Sequence, residues 1–214
     1  MKKLWFLLFI PVLFTYAKTK QHQSKKDEWI SLFDGKTLNG WQVGNNAETF
    51  SVKDGVIVVH GKTAHLFYDG DANNHNFKNF EFKTQVMTMP GSNSGIYFHT
   101  QYQQGGWPSK GYEVQVNNSH TDWKRTGSLY NIVDVRDKIV PDSVWYTERI
   151  KVEGKHVQIW VNDKQTVDYT EPANVERSDD MKGRILSNGT FALQGHDPNS
   201  IVYFKDIMVK SLAD

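Results

Sequence analysis

Cysteine is absent from the 214 residues of the chain. That one absence excludes disulfides, thiolate zinc sites, iron–sulfur clusters and a cysteine nucleophile together. Excess charge of either sign is missing as well, with 25 Lys+Arg against 24 Asp+Glu. A chain so balanced gives no electrostatic reason to expect nucleic acid or an acidic polymer as partner. Neither a P-loop nor a Gly-x-Gly-x-x-Gly is present, so the usual signatures of nucleotide chemistry are lacking. No Gly-x-Ser-x-Gly elbow marks a serine hydrolase, although residue counting leaves a Ser–His–Asp triad open. No two histidines stand at the i, i+4 spacing of a helical zinc motif. Oxygen, nitrogen and aromatic chemistry remain.

Long apolar runs are equally scarce. The longest, Leu4 to Tyr16, holds 13 residues, short of the roughly 20 that span a bilayer as a helix. Lys2 and Lys3 precede it, and Thr15-Tyr16-Ala17 closes it on a small residue. This is the order of a secretory signal peptide, read here as residues 1–17, with an uncleaved anchor as the alternative. No cysteine stands at the cleavage point, so a lipoprotein signal is excluded. Residues 18–28 are polar and read as a disordered lead-in. The expected product is an exported protein, periplasmic or secreted from a bacterial envelope, whose core needs no disulfide staple. No membrane insertion is expected of that mature chain, and its oligomeric state is not legible.

Helical periodicity is the next absence. After the signal no stretch keeps a 3.6-residue apolar period over three turns. In its place stand short alternating runs: Val56 to Val59, Phe80 to Met87, Gly95 to Gln101, Tyr112 to Val116, Arg149 to Val152, Val157 to Val161, Phe191 to Leu193 and Ile201 to Val209. Turn residues separate them, including Lys53-Asp54-Gly55 and Met89-Pro90-Gly91, and Glu153-Gly154-Lys155 reads as a hairpin. The pattern predicts one all-β domain over residues 29–214, a sandwich or jelly roll.

Alternation also says which side chains share a face. In Gly95 to Gln101, Tyr97, His99 and Gln101 oppose Ile96, Phe98 and Thr100. In Tyr112 to Asn117, Glu113, Gln115 and Asn117 oppose Tyr112, Val114 and Val116. A strand face that is merely solvated recruits Lys, Glu and Thr. These rows hold a phenol, an imidazole and planar amides, groups that pair with sugar hydroxyls as donors and acceptors. Gln194 and His196 repeat the arrangement opposite Phe191 and Leu193. Residues 102–110 form a flexible loop in which Trp107 either stacks on a sugar or folds back on the sheet edge. His60, His65, His75, His120 and His156 lack such company and read as surface or core histidines. Asp69-Gly70-Asp71-Ala72-Asn73 offers calcium-type oxygen spacing. Asn74 and Phe80 replace the Gly and Glu of such a loop, so it reads as a polar turn and no metal ligand is assigned.

Leu32-Phe33-Asp34-Gly35-Lys36-Thr37-Leu38-Asn39-Gly40-Trp41 and Asn93-Ser94-Gly95-Ile96-Tyr97-Phe98 occur in order along the chain. Gly111-Tyr112-Glu113-Val114-Gln115-Val116, Thr126-Gly127-Ser128-Leu129-Tyr130, Trp160-Val161-Asn162-Asp163 and Ala192-Leu193-Gln194-Gly195-His196 follow. Together they resemble the 3-keto-disaccharide hydrolase family, over Trp29 to Leu212. The resemblance implies a concanavalin A-like jelly-roll sandwich of two antiparallel sheets, acting on 3-keto-glycosides. Many members carry Arg where this chain has His99; histidine exchanges a fixed cation for a group that titrates near neutrality.

Retaining glucanases of the same fold carry acids at the spacing where this chain has Glu113, Gln115 and Asn117. Only the first is an acid, so double displacement lacks its second carboxyl. A 3-keto sugar offers another route. Its ketone acidifies the C2 hydrogen, and the enolate formed by proton removal expels the C1 substituent, with water adding afterwards in the hydrolytic variant. A base of near-neutral pKa and donors for the enolate oxygen are required. Glu113 and His99 are the catalytic candidates, one for the C2 proton and the other for the leaving group. Tyr97, Gln115, Gln194 and His196 are assigned to the substrate, Trp107 to stacking, and Lys110 and Tyr130 to the enolate. No cofactor is expected, and a divalent cation in place of the donors is left open without a motif to hold it. A non-catalytic carbohydrate-binding module is the competing reading.

Overall fold

The computed structural model describes residues 28–213. The proposed export signal and the lead-in up to Asp27 lie outside the described residues. Thirteen strands are present: β1 (Ile30–Ser31), β2 (Trp41–Val43), β3 (Phe50–Lys53), β4 (Val56–Val59), β5 (Ala64–Tyr68), β6 (Phe80–Thr88), β7 (Ser94–Thr100), β8 (Tyr112–Val116), β9 (Tyr146–Glu153), β10 (His156–Val161), β11 (Lys164–Thr170), β12 (Thr190–Gly195) and β13 (Val202–Ser211). A large antiparallel sheet runs β11-β10-β9-β6-β13-β4-β3, with β1 added to β13. A small antiparallel sheet runs β2-β5-β12-β7-β8. Helix among the described residues is limited to three short 3₁₀ turns. This is the all-β sandwich that the alternating runs predict.

The two sheets are written differently. In β6 and β9 of the large sheet buried and half-buried residues alternate almost without exception, one row to the core and one to solvent. In β5, β7, β8 and β12 of the small sheet every residue is buried. Their inner row, with Leu66, Ile96, Val114, Val116, Phe191 and Leu193, joins the core between the sheets. Each such side chain contributes roughly 1.5–3 kcal/mol on burial. Phe191 packs on Phe77, Phe80 and Phe82, with ring centroids 4.7–4.9 Å apart. The outer row is buried too, although it is largely polar. His65 Nε2, Gln115 Oε1 and Gln194 Oε1 of this row are buried without a hydrogen-bond partner among the described residues, a cost that a merely structural row avoids, so the row marks a covered hollow instead of a free surface. It also explains why β5 escapes a search for alternation: Ala-His-Leu-Phe-Tyr is buried on both faces.

Candidate functional site

The outer row brings together Glu113 and Gln115 from β8, Tyr97 from β7, Gln194 from β12 and His65 from β5. Strand pairing sets them side by side: Tyr97 lies opposite Glu113 and Ala192, while Gln194 lies opposite His65. Tyr97 donates its O–H to Glu113 Oε2 at 2.7 Å. Gln194 Nε2 donates to Glu113 Oε1 at 2.8 Å and to the Tyr97 oxygen at 3.1 Å. Both carboxylate oxygens are thus acceptors in one closed network, as an ionised carboxylate requires.

Backbone makes room for that carboxyl. A Cβ on Gly95 would sit 2.5 Å from Glu113 Oε1. Only a residue without a side chain lets the Glu113 carboxyl lean across β7, and a glycine inside a strand is the sequence mark of such a close approach.

Three covering segments close the hollow. Residues 102–110 carry Trp107, which meets His65 at 5.6 Å and His196 at 5.5 Å between ring centroids. Within this loop Gln103 Nε2 donates to the Trp107 carbonyl at 3.0 Å, and the Asn45 N–H donates to the Gln104 carbonyl at 2.6 Å. Trp107 therefore stands over the sheet with 49% of its surface exposed, available to a ligand from the open side. The segment after β11 supplies Arg184, whose guanidinium lies 5.3 Å from the Tyr97 ring centroid and donates to the Gly111 carbonyl at 3.1 Å. The segment after β8 supplies Asp122 and Tyr130, with the phenol 3.4 Å from Asp122 Oδ2. The space between these segments, open on one side, is about 290 Å³, at the lower end of small-ligand sites.

Electrostatics give each group a distinct role. Burial raises the Glu113 carboxyl above its ordinary value, against the opposing pull of Tyr97, Arg184 and Gln194. Burial lifts the Tyr130 phenol to about 12, with Asp122 and Glu113 adding to it. Tyr97 is also raised well above the ordinary phenol value, chiefly by burial and then by Glu113. Both phenols are therefore donors at neutral pH, beside a carboxylate moved toward the range of a general base. His65 is held neutral, pushed down to about 3 chiefly by burial and secondarily by Arg184.

Of the residues anticipated from sequence, Glu113, Tyr97, Gln115, Gln194, Trp107, Tyr130 and His196 line this one cavity. His99 does not join them. Its φ of +54° and a break in the β7–β12 register, Tyr97 pairing with Ala192 but Thr100 with Thr190, form a bulge that reverses side-chain parity after Phe98. The imidazole turns to the core side, against Phe80 and Phe98. Nε2 lies 2.9 Å from the Lys78 carbonyl, and Nδ1 accepts the Ser187 N–H at 3.2 Å. Burial holds it neutral, with a pKa of about 4. His99 is thus placed among core side chains, outside the cavity lining. Lys110 is also removed from the site: it lies outside the cavity lining and donates to Gln101 Oε1 at 2.8 Å.

Sequence reasoning missed Arg184, Asp122, Asn93, Gly95 and the placement of His65. The first two sit in irregular segments that carry no period. Asn93 accepts Gln115 Nε2 at 2.9 Å from just outside β7. Strand spacing offered one acid; the fold adds Asp122 and Asp180 to the lining. Asp122 is engaged by the Lys124 amide at 3.0 Å and the Lys124 ammonium at 3.9 Å.

The match to known proteins follows the same strands. The sequence profile of a domain described as 3-keto-alpha-glucoside-1,2-lyase-like covers residues 28–210. A 3-keto-disaccharide hydrolase of Bacteroides thetaiotaomicron is 29% identical over 170 residues, which make up 67% of this chain and 59% of that protein. The chain thus spans less than two thirds of that relative's length. A crystal structure from Parabacteroides distasonis ATCC 8503, provisionally named a glycosyl hydrolase, superposes with a TM-score of 0.71 at 25% identity, over 86% of this chain and 94% of that one. Carbohydrate-binding module CBM66 from Bacillus subtilis superposes with a TM-score of 0.58 at 12% identity, over 80% and 96% of the two chains, a likeness of fold alone. Because the profile takes in every strand that carries Glu113, Tyr97 and Gln194, the chain belongs to the 3-keto-alpha-glucoside-1,2-lyase-like domain family.

Proposed function

We propose that the protein is an exported enzyme that cleaves 3-keto-glycosides by proton abstraction at C2 followed by elimination of the C1 substituent. The observation that carries this reading is the buried Glu113 carboxylate, hydrogen-bonded on both oxygens and raised in pKa, at the wall of the cavity. Glu113 takes the C2 proton. The electron pair of the C2–H bond passes to the C3 oxygen, which the Tyr130 hydroxyl and the Arg184 guanidinium stabilise. Collapse of the enolate breaks the C1–O bond, and the leaving oxygen takes its proton from solvent. His99 lies outside the cavity lining, which supports Glu113, the other catalytic candidate, as the base. The family description, a 1,2-lyase-like domain, names the same pair of carbons, and the hydrolase name of the Bacteroides relative accords with water adding afterwards.

The test is turnover of a 3-keto-glucoside beside the corresponding ordinary glucoside. Wild-type protein is expected to consume only the keto sugar. Glu113→Gln, with folding verified, is expected to lose about 10²–10⁴-fold in kcat, the usual worth of a positioned base. Equal cleavage of the ordinary glucoside points instead to paired carboxylates, with Asp122 or Asp180 as the second. Reversible binding of glycans without any turnover favours a carbohydrate-binding module.

A further inference from the structure

At the rim of the cavity a second proton-transfer device is built from residues that the elimination does not use. Asp197, next in sequence to His196, lies with its Oδ2 2.7 Å from His196 Nδ1. The same carboxylate accepts the Ser200 hydroxyl at 2.8 Å and the Asn199 amide at 2.8 Å. Burial pushes Asp197 up, but the hydrogen bonds from His196, Ser200 and Asn199 hold it below the usual carboxylate value. An ionised carboxylate can only accept, so His196 donates from Nδ1, and the lone pair of the neutral ring is left on Nε2. Ser200 is fixed in turn by the Asn93 N–H at 2.9 Å, and Asn93 holds Gln115. One chain of hydrogen bonds therefore ties the dyad to the floor of the site. Trp107 meets the His196 ring at 5.5 Å between centroids.

His120 also meets His196, at 5.4 Å between ring centroids, and His120, His196 and Asp197 offer ligand atoms within 4.8 Å of one another. A metal reading of this trio conflicts with the hydrogen bonds of His120. Its Nδ1 accepts the Asp122 backbone N–H at 3.1 Å, with Asn93 Nδ2 at 3.3 Å. A backbone amide can only donate, so the proton of neutral His120 sits on Nε2, which then has no lone pair for an ion. The trio is better described as one donor, His120, beside one base, His196.

We propose that Asp197 and His196 form a water-activating dyad that hydrates the product of elimination. This step rests on the 3-keto-glycoside reading. Loss of the C1 substituent leaves a C1=C2 double bond conjugated with the C3 ketone. A water oxygen bonds to C1 while its proton passes to His196 Nε2, and Asp197 stabilises the imidazolium formed. C2 regains the proton held by Glu113, which restores the ketone, and the imidazolium releases its proton to solvent. The division of labour follows exposure. The Glu113 residue is 7% exposed, suited to keeping one proton for return to C2. The His196 side chain is 30% exposed, at the mouth where water enters. His196 is thus a catalytic residue and Asp197 a positioning residue. Together they decide whether the enzyme ends as a lyase or a hydrolase.

The experiment is product analysis on a 3-keto-glucoside by ultraviolet absorbance of the enone and by NMR, with folding checked by thermal melts. Wild-type protein is expected to give the hydrated 3-keto sugar. His196→Gln is expected to raise the ratio of enone to hydrated product by about 10²-fold or more, the scale of general-base catalysis. Asp197→Asn is expected to shift the ratio in the same direction and to invert the His196 tautomer in ¹⁵N NMR. The wild-type ring, read by the same NMR, is expected to carry its proton on Nδ1, a result independent of whether the variants fold. A proton on Nε2 overturns the dyad, as does an unchanged product ratio in His196→Gln. Enone as the final wild-type product overturns the hydration step while leaving the elimination intact. Turnover lost to a chelator and restored by a divalent cation assigns the trio to metal and overturns the dyad. Wild-type protein that releases no aglycone overturns the enclosing reading, and this step with it.

Discussion

Tyr97→Phe removes one of the two side-chain donors to the base. The ring contacts with His65, at 5.4 Å between centroids, and with the Arg184 guanidinium survive the change, because phenylalanine keeps the aromatic body. What disappears is the O–H donated to Glu113 Oε2 at 2.7 Å, together with the oxygen that accepts Gln194 Nε2 at 3.1 Å; Gln194 keeps its own bond to Glu113 Oε1 at 2.8 Å. A hydrogen bond to a charged group contributes about 1.5–3 kcal/mol, and one pKa unit corresponds to about 1.36 kcal/mol. Loss of the donor therefore raises the Glu113 carboxyl by roughly 1–2 units above its already elevated value. The base acts only when ionised, so the acid limb of kcat/KM moves to higher pH by the same roughly 1–2 units. The assay is the pH dependence of kcat/KM on a 3-keto-glucoside, which reports the free enzyme. Above both limbs the variant approaches wild-type rates. A uniform loss across the whole pH range, with the acid limb in place, would refute the role given to Glu113.

Two further predictions test the surroundings of that carboxyl. Gly95→Ala brings a methyl to 2.5 Å from Glu113 Oε1; a displacement of about 1 Å costs on the order of 10²-fold in rate, so kcat is expected to fall by about that factor while the thermal midpoint changes little. His99→Ala deletes the partner of the Ser187 amide and of the Lys78 carbonyl and is expected to cost about 1–3 kcal/mol in denaturant unfolding, with turnover by the folded fraction preserved. The sign of the pH effect follows from the lowered pKa. Folded His99 stays neutral down to about 4, whereas the unfolded chain takes up a proton near 6.5. Wild-type stability therefore falls as pH drops from 6.5 toward 4, and the variant is expected to show a shallower fall over that window.

How much of the site was legible can be judged residue by residue. Glu113 and Gln115 were readable because β8 is regular, and two-residue alternation carries them to one face. Tyr97 followed from the same rule on β7. His99 obeyed the rule on paper and broke it in space, since a bulge after Phe98 inserts one residue and inverts everything beyond it. Gly95 carried a readable signal, a glycine within a strand, whose meaning required a partner across the ladder. Arg184 carried none: it lies in an irregular segment and reaches Tyr97 by a route that no local pattern encodes.

Legible in the residues alone were the all-β class, the exclusion of thiol chemistry, the lack of the usual nucleotide-binding signatures, and the polar row on the small sheet. Composition and the two-residue period are local properties, and local properties survive without a fold. Tertiary structure alone decided that this row is covered instead of solvated, that Arg184 supplies the cation near Glu113, and that Asp197 orients His196 at the cavity mouth. Those outcomes depend on pairing register and on how loops pack across strands distant in sequence. There a single inserted residue, such as the one at the β7 bulge, changes which side chains meet.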